Sequence, residues 1–239
     1  MNLSPTKPVC LCLHGTSLQH LADQIESFKR WDVYWATVNS FVHVDEMLKK
    51  IDKQVDFLFV PNQRQINAER VEISNFLSRP DTLFITSNRG AMEYSTLAWD
   101  YDWTFREPFI PQSRFLVNDF GHGFNTMLGA LTVLTRLRFQ KIFLFGADGY
   151  VKSVDQTHYA PIMRENLKDK SWILTTNPDH YAQMLQNDTI VFNNSFQILF
   201  QYWGLQGINP TVQIFNVNPD SHISVFPKIS TRDIKPELS

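Results

Sequence analysis

Val9-Cys10-Leu11-Cys12-Leu13, followed at once by His14-Gly15-Thr16-Ser17, is the stretch that decides the fold. The apolar run is too short for a helix and lacks the polar alternation of a strand with one wet face. It therefore reads as a strand buried on both faces. Ser17 is placed to N-cap a helix, and Leu18, Leu21, Ala22, Ile25 and Phe28 recur at helical spacing up to Lys29 and Arg30. Strand, small-residue turn and amphipathic helix make one βα unit. Cys10 and Cys12 are expected on opposite faces of this strand and unbridged. As the chain's 2 cysteines they provide neither a disulfide framework nor zinc-knuckle spacing.

The unit repeats downstream. Val33 to Val38 is a second strand ending at Asn39-Ser40, and Val44, Met47, Leu48 and Ile51 mark a short helix after it. Val55 to Val60 is a third strand ending at Pro61-Asn62, followed by a stripe through Ile66, Val71, Ile73, Phe76 and Leu77. Thr82 to Thr86 is a fourth, ending at Ser87-Asn88-Arg89-Gly90. Residues 91–120 lose the rhythm and read as an irregular excursion. Order returns with Gly121-His122-Gly123, a helix through Met127, Leu128, Leu131, Leu134 and Leu137, and the strand Lys141 to Phe145 running into Gly146-Ala147-Asp148-Gly149-Tyr150. Residues 151–188 are polar and read as a lid-like insertion. An aromatic helix through Phe192, Phe196, Leu199, Phe200 and Trp203 then precedes a last strand, Val212 to Val217, which enters Asn218-Pro219-Asp220-Ser221. Strands alternating with helices predict an α/β fold: one Rossmann-like domain over residues 1–239, with a mostly parallel sheet and helices on both faces.

Composition narrows the partners. With 43% hydrophobic and 19% charged residues the chain can bury a core, and a net charge of -2 lacks the basic excess that holds nucleic acid. No segment offers about 18 uninterrupted apolar residues for a bilayer, and Met1 to Pro8 carries no signal-peptide pattern, so a cytoplasmic location is expected. The 19 Phe and 6 Trp leave the aromatic helix readable either as core or as the seam of a homo-oligomer.

Ligands of such sheets bind outside the carboxyl ends of the strands. Small, amide and hydroxyl groups gather there: Gly15, Thr16, Ser17, Asn39, Asn62, Asn88, Gly146 to Tyr150, and Asn216 to Ser221. The Gly15-Thr16-Ser17 turn reads two ways, as backbone N–H groups facing a phosphate or as a tight turn with an N-cap. Gly121-His122-Gly123 offers a similar nest ahead of the long helix. Asp148 is placed either to accept from ribose hydroxyls or a base amine, or to bond its own turn. On the first reading Asp148→Asn keeps the fold and weakens nucleotide binding. Asp100-Tyr101-Asp102 has the spacing of a divalent-cation grip, a common short pattern, and no metal site is assigned.

The order of these motifs resembles the Rossmann-like superfamily that holds the Campylobacter-type bacterial sialyltransferases, the domain of unknown function 115 and the 6-hydroxymethylpterin diphosphokinase-like proteins. The resemblance covers most of residues 9–225. It implies that Gly15, Thr16 and Asn39 contact the nucleotide of CMP-sialic acid, that His122 and Gly123 open the long helix at the site, and that Gly146, Asp148 and Tyr150 bind nucleotide and support the donor phosphate. The chain departs from the sialyltransferase pattern at His14 and Thr16, where the family has Asn and Pro. It also has no Arg at the place near Asp119 and no His from Asn187 to Val191.

The expected activity is a metal-independent, glycosyltransferase-like transfer with no required cofactor. A nucleotide-sugar, CMP-linked by preference, is the donor, and a hydroxyl-bearing glycan or small molecule is the acceptor. Ser17 and Asn39 join the binding set with Asn62 and Asn88; His122, Tyr150, His158 and His180 are the catalytic candidates. Two other readings stay open. One is ATP-dependent diphosphate transfer of the pterin type, using Asp148, Asp119 and the Asp100/Asp102 pair with Arg89 or Arg114. The other is a nucleotide-binding or interaction protein without catalysis.

Overall fold

The computed structural model describes residues 3–60, 69–86, 103–104, 115–117, 126–149, 183, 186–194, 196 and 211–234. In chain order the elements are β1 (Val9–Cys12), α1 (Leu18–Asp23), β2 (Tyr34–Val38), α2 (Val42–Lys49), β3 (Phe57–Phe59), α3 (Arg70–Leu77), β4 (Leu83–Thr86), β5 (Trp103–Thr104), β6 (Phe115–Val117), α4 (Thr126–Arg136), β7 (Lys141–Phe145) and β8 (Gln213–Asn216). The strands form one sheet in the order β5-β6-β4-β3-β2-β1-β7-β8. Every pairing is parallel. This is the expected α/β, Rossmann-like architecture.

β1 lies inside the sheet, with Val9 opposite both Tyr34 of β2 and Ile142 of β7. From β1 the chain winds outward through β2, β3 and β4, then returns to place β7 on the other side. The order of connection thus reverses between β1 and β7, which makes their carboxyl ends the topological switch point.

The two-residue period of a strand divides the core in two. Cys10, Cys12, Trp35, Leu58, Phe84, Phe143 and Phe145 face one way and pack with residues of α1, α2 and α3. Val9, Leu11, Tyr34, Ala36, Phe57, Phe59, Ile142 and Leu144 face the other, with residues of α4 and with Phe192 and Phe196. Burial on both faces explains why the strands read as unbroken apolar runs. It also corrects the cysteine expectation: residues i and i+2 of a strand share a face, so Cys10 and Cys12 point the same way. Both are buried, free thiols, and burial raises the pKa of each.

Three further expectations change. Residues 91–120 contribute β5 and β6, which extend the sheet beyond β4; runs of two and three residues are too short to show a period. The first helix ends at Asp23, and Ile25–Phe28 continues as a 3-10 turn. Its apolar positions Leu18, Leu21, Ile25 and Phe28 are nevertheless buried as expected. Val71, placed in the buried stripe of α3, is 69% exposed, while Ile73, Phe76 and Leu77 carry that helix's packing.

Of the aromatic stripe, Phe192 and Phe196 are buried and edge onto Phe226, so at these two positions it is core and no oligomer seam. Phe200, Trp203 and most of the lid-like insertion fall outside the described residues. Among the described residues no helix is long and apolar enough to cross a membrane.

Candidate functional site

At the switch point the β1 and β7 turns are packed against each other. The parallel ladder continues past both strands: Leu13 N donates to Phe145 O at 2.7 Å and Gly15 N to Gly146 O at 3.0 Å. A Cβ on Gly15 would stand 2.5 Å from Gly146 O and 2.6 Å from Asp148 Oδ2. One on Gly146, whose φ is +72°, would overlap the Leu13 carbonyl. Glycine is therefore required at both positions, at Gly146 for conformation as well as space.

Asp148 closes this junction. Its Oδ2 accepts from Thr16 Oγ1 at 3.0 Å and from Ser17 N at 2.9 Å. Its Oδ1 accepts from Ser17 Oγ and, at 2.9 Å, from Asn218 Nδ2. The residue is buried, and a buried carboxylate needs such partners. The donors that the sequence reading sought in a ligand thus come from the chain. Ser17 occupies the N-cap position of α1 without capping it, because its hydroxyl goes to Asp148. The backbone N–H groups of this turn also point inward, that of Gly15 onto Gly146 O and that of Ser17 onto Asp148 Oδ2.

The loop after β8 holds the other side. Asn216 Nδ2 donates to Ala147 O at 2.9 Å, and Ser221 Oγ donates to the same carbonyl at 2.6 Å. His222 N reaches Asp148 O at 2.8 Å. Asn218 Oδ1 accepts from Asp220 N at 3.0 Å, a local turn that fixes the amide aimed at Asp148. Helical residues 186–194 lean on this loop. Asn193 donates to His222 O and accepts from Ser224 N, both at 3.0 Å. Thr189 Cγ2 stands 3.0 Å from where a Cβ of Gly149 would be.

Asn39, at the carboxyl end of β2, is held at φ +46° with its N–H on Phe59 O at 2.9 Å. Its Oδ1 is buried and has no hydrogen-bond partner among the described residues. Next to it Ser40 Oγ donates to Glu69 Oε1 at 2.8 Å, joining the β2 end to the residue that precedes α3.

Of the expected site residues, Gly15, Thr16, Ser17, Gly146 and Asp148 come together at the β1/β7 junction, and Asn39 stands at the end of the next strand, β2. Asn62, Asn88, His122, Gly123, Tyr150, His158 and His180 lie outside the described residues, as do Asp100, Asp102, Asp119, Arg89 and Arg114. Asn218 and Ser221 were placed by sequence at the ligand edge of the sheet but in neither the binding nor the catalytic set, and Glu69 was not expected at all. The Asn-Pro-Asp-Ser turn signal after the last strand was a legible cue for the first two; nothing local marks Glu69.

No protein-family model matches the chain, and no curated protein matches it. Among solved structures, the chain is similar to the monofunctional alpha-2,3-sialyltransferase Cst-I from Campylobacter jejuni, with 12% identity and a TM-score of 0.45 over 95% of this chain and 82% of that one.

Proposed function

We propose that the chain is a nucleotide-sugar-dependent glycosyltransferase-like enzyme whose donor binds in the crevice at the carboxyl ends of β1, β2 and β7. The observation that carries this reading is the cross-braced junction at the switch point. Two glycine turns that tolerate no side chain are fastened by one buried carboxylate, where α/β sheets hold their ligands. Such bracing leaves a rigid floor of small residues, suited to the close approach of a flat or charged ligand. In this reading Asp148 is a positioning residue that sets Thr16 and Ser17.

The acceptor hydroxyl attacks the anomeric carbon, the bond from that carbon to the phosphate oxygen breaks, and its electron pair leaves with the phosphate. The hydroxyl proton passes to a base, for which His158 and His180 are the candidates. His122 and Tyr150 are the candidates for stabilising the departing phosphate. CMP-linked donors are favoured by the motif resemblance, and no metal is required.

Thermal-shift screening against CMP-, UDP-, GDP- and ADP-linked sugars tests the proposal. A ligand at a hundred times its Kd stabilises the fold by about 2.7 kcal/mol. Absence of a shift with every nucleotide refutes the reading. A shift that a chelator abolishes transfers support to magnesium-dependent diphosphate transfer.

A further inference from the structure

Asp188 lies on the helical segment 186–194, half-buried, with no hydrogen bond and no cation beside it among the described residues. The segment is fixed at two points. Asn193 bonds the main chain of His222 and Ser224 in the loop after β8, and Thr189 stands against Gly149 in the turn after β7. Going back along the helix from Asn193 to Thr189 thus leads from the β8 loop to the end of β7, and Asp188 is the next residue in that direction. At about 100° per residue it leaves the helix roughly 140° away from Asn193, so it is turned off the loop that Asn193 holds. The charged groups of the turn, the loop and α4 are Asp148, Asp220, His222, Lys228 and Arg136, and none of them pairs with Asp188. Burial alone raises its pKa above the usual carboxylate value, which makes the ionised form a stronger base.

We infer that Asp188, rather than His158 or His180, is the general base that takes the acceptor's proton, an inference that rests on the nucleotide-sugar reading above. As the acceptor oxygen bonds to the anomeric carbon, its proton passes to the Asp188 carboxylate. The bond from that carbon to the phosphate oxygen breaks, and its electron pair stays with the phosphate. Asp148, the neighbouring carboxylate, is unsuited to this task. It already accepts from Thr16, from Ser17 twice and from Asn218, which fills the roughly four lone-pair sites of a carboxylate. Asp188 has its lone pairs open, and its partial exposure lets the captured proton return to solvent before the next turnover.

The test follows release of nucleotide from CMP-, UDP-, GDP- and ADP-linked sugars, with water and a panel of methyl glycosides as acceptors, across about pH 4 to 9. Donor affinity is measured in parallel by calorimetry. Asp188→Asn keeps the shape and sheds a half-buried charge, so its melting temperature at pH 7 is expected to be no lower than that of wild type. Its kcat is expected to fall about a hundredfold or more while donor Kd changes by less than about twofold. The wild-type kcat rises with pH along an acidic limb; Asp188→Asn loses that limb, and added formate restores part of the rate. If wild type binds donor but Asp188→Asn keeps its kcat or its acidic limb, the inference is refuted while the proposed function stands. Lost kcat with a lowered melting temperature and no formate rescue refutes it as well, because the residue is then structural. Donor binding without any turnover in wild type also refutes it. If no nucleotide-sugar binds, both readings fall together.

Discussion

Ser17 and Asp148 are bonded twice across a separation of 131 residues, with the Ser17 amide and the Ser17 hydroxyl each donating to one oxygen of the Asp148 carboxylate. Thr16 and Asn218 complete the set. A carboxylate accepts from all four donors; an amide confronts at least one of them with its own N–H. Asp148→Asn is therefore expected to lower unfolding free energy by about 2–4 kcal/mol and Ser17→Ala by about 1–2 kcal/mol, measured by urea denaturation. This reverses the sequence-based expectation that Asp148→Asn would keep the fold intact.

The glycine junction predicts a sharper loss. Gly146→Ala places a Cβ into the Leu13 carbonyl at a positive φ, and Gly15→Ala meets the Gly146 carbonyl at 2.5 Å. Neither obstacle is a flexible side chain. Both substitutions are expected to cost more than about 3 kcal/mol and to reduce soluble yield. A Gly146→Ala protein with a wild-type melting curve would contradict the packing described for these turns.

Away from the site, Asp45 of α2 is buried and paired with Arg79, whose Nη1 and Nη2 donate at 2.7 and 2.9 Å, and with Lys49 at 3.0 Å. Burial pushes the Asp45 pKa up, but the hydrogen bonds from Arg79 and Lys49 outweigh it, and the net direction is down. Arg79→Met is expected to cost about 3–5 kcal/mol by leaving that charge without its main partner, while the double substitution Asp45→Leu/Arg79→Met regains most of the loss. Because the folded pKa is depressed, the pair's contribution is present above the ordinary carboxylate pKa and fades as pH falls through the folded value. A double-mutant cycle at pH 7 and at pH 3 measures both.

Asp56 behaves in the opposite sense. It directly precedes β3, its Oδ2 accepts from Trp35 N at 2.7 Å, and burial raises its pKa to about 6 against partial relief from that bond, Lys7 and Lys53, while Asp81 adds to the rise. The folded protein binds the proton more tightly than the unfolded chain. The resulting stability is fully present below about pH 4 and is lost as pH rises through about 6. Asp56→Asn keeps an acceptor for Trp35 N without the charge. It is expected to raise stability at pH 8 by up to about 3 kcal/mol and to change nothing at pH 3.5. Thermal melts across that pH range decide the matter.

Much of this architecture was legible because buried parallel strands announce themselves. Val9 to Leu13 and Ile142 to Phe145 are apolar throughout, and each ends at a turn containing glycine. Trp103-Thr104 and Phe115-Leu116-Val117 escaped notice because a strand of two or three residues has no period; it exists only through pairing with β4 and β6. At the site, sequence indicated which residues gather at the carboxyl edge, but not how they are satisfied. The bond from Asn218 to Asp148 spans 70 residues and leaves no local trace. The reading of Asp148 as waiting for a ligand failed to count the donors that Thr16, Ser17 and Asn218 bring to it.

The interior position of β1 has a consequence for how the chain is made. One edge of β1 pairs with β2, which leaves the ribosome soon after it, but the other must wait for β7 at Lys141–Phe145. Until then a nascent chain already holding β1 to β4 exposes a row of unpaired amides and carbonyls along an apolar strand, the kind of edge that recruits other chains. Biogenesis should therefore depend more on the interval before β7 emerges than on the finished protein's stability. Fragments ending before Lys141 are expected to associate with chaperones or precipitate, and those extending past Phe145 to remain dispersed.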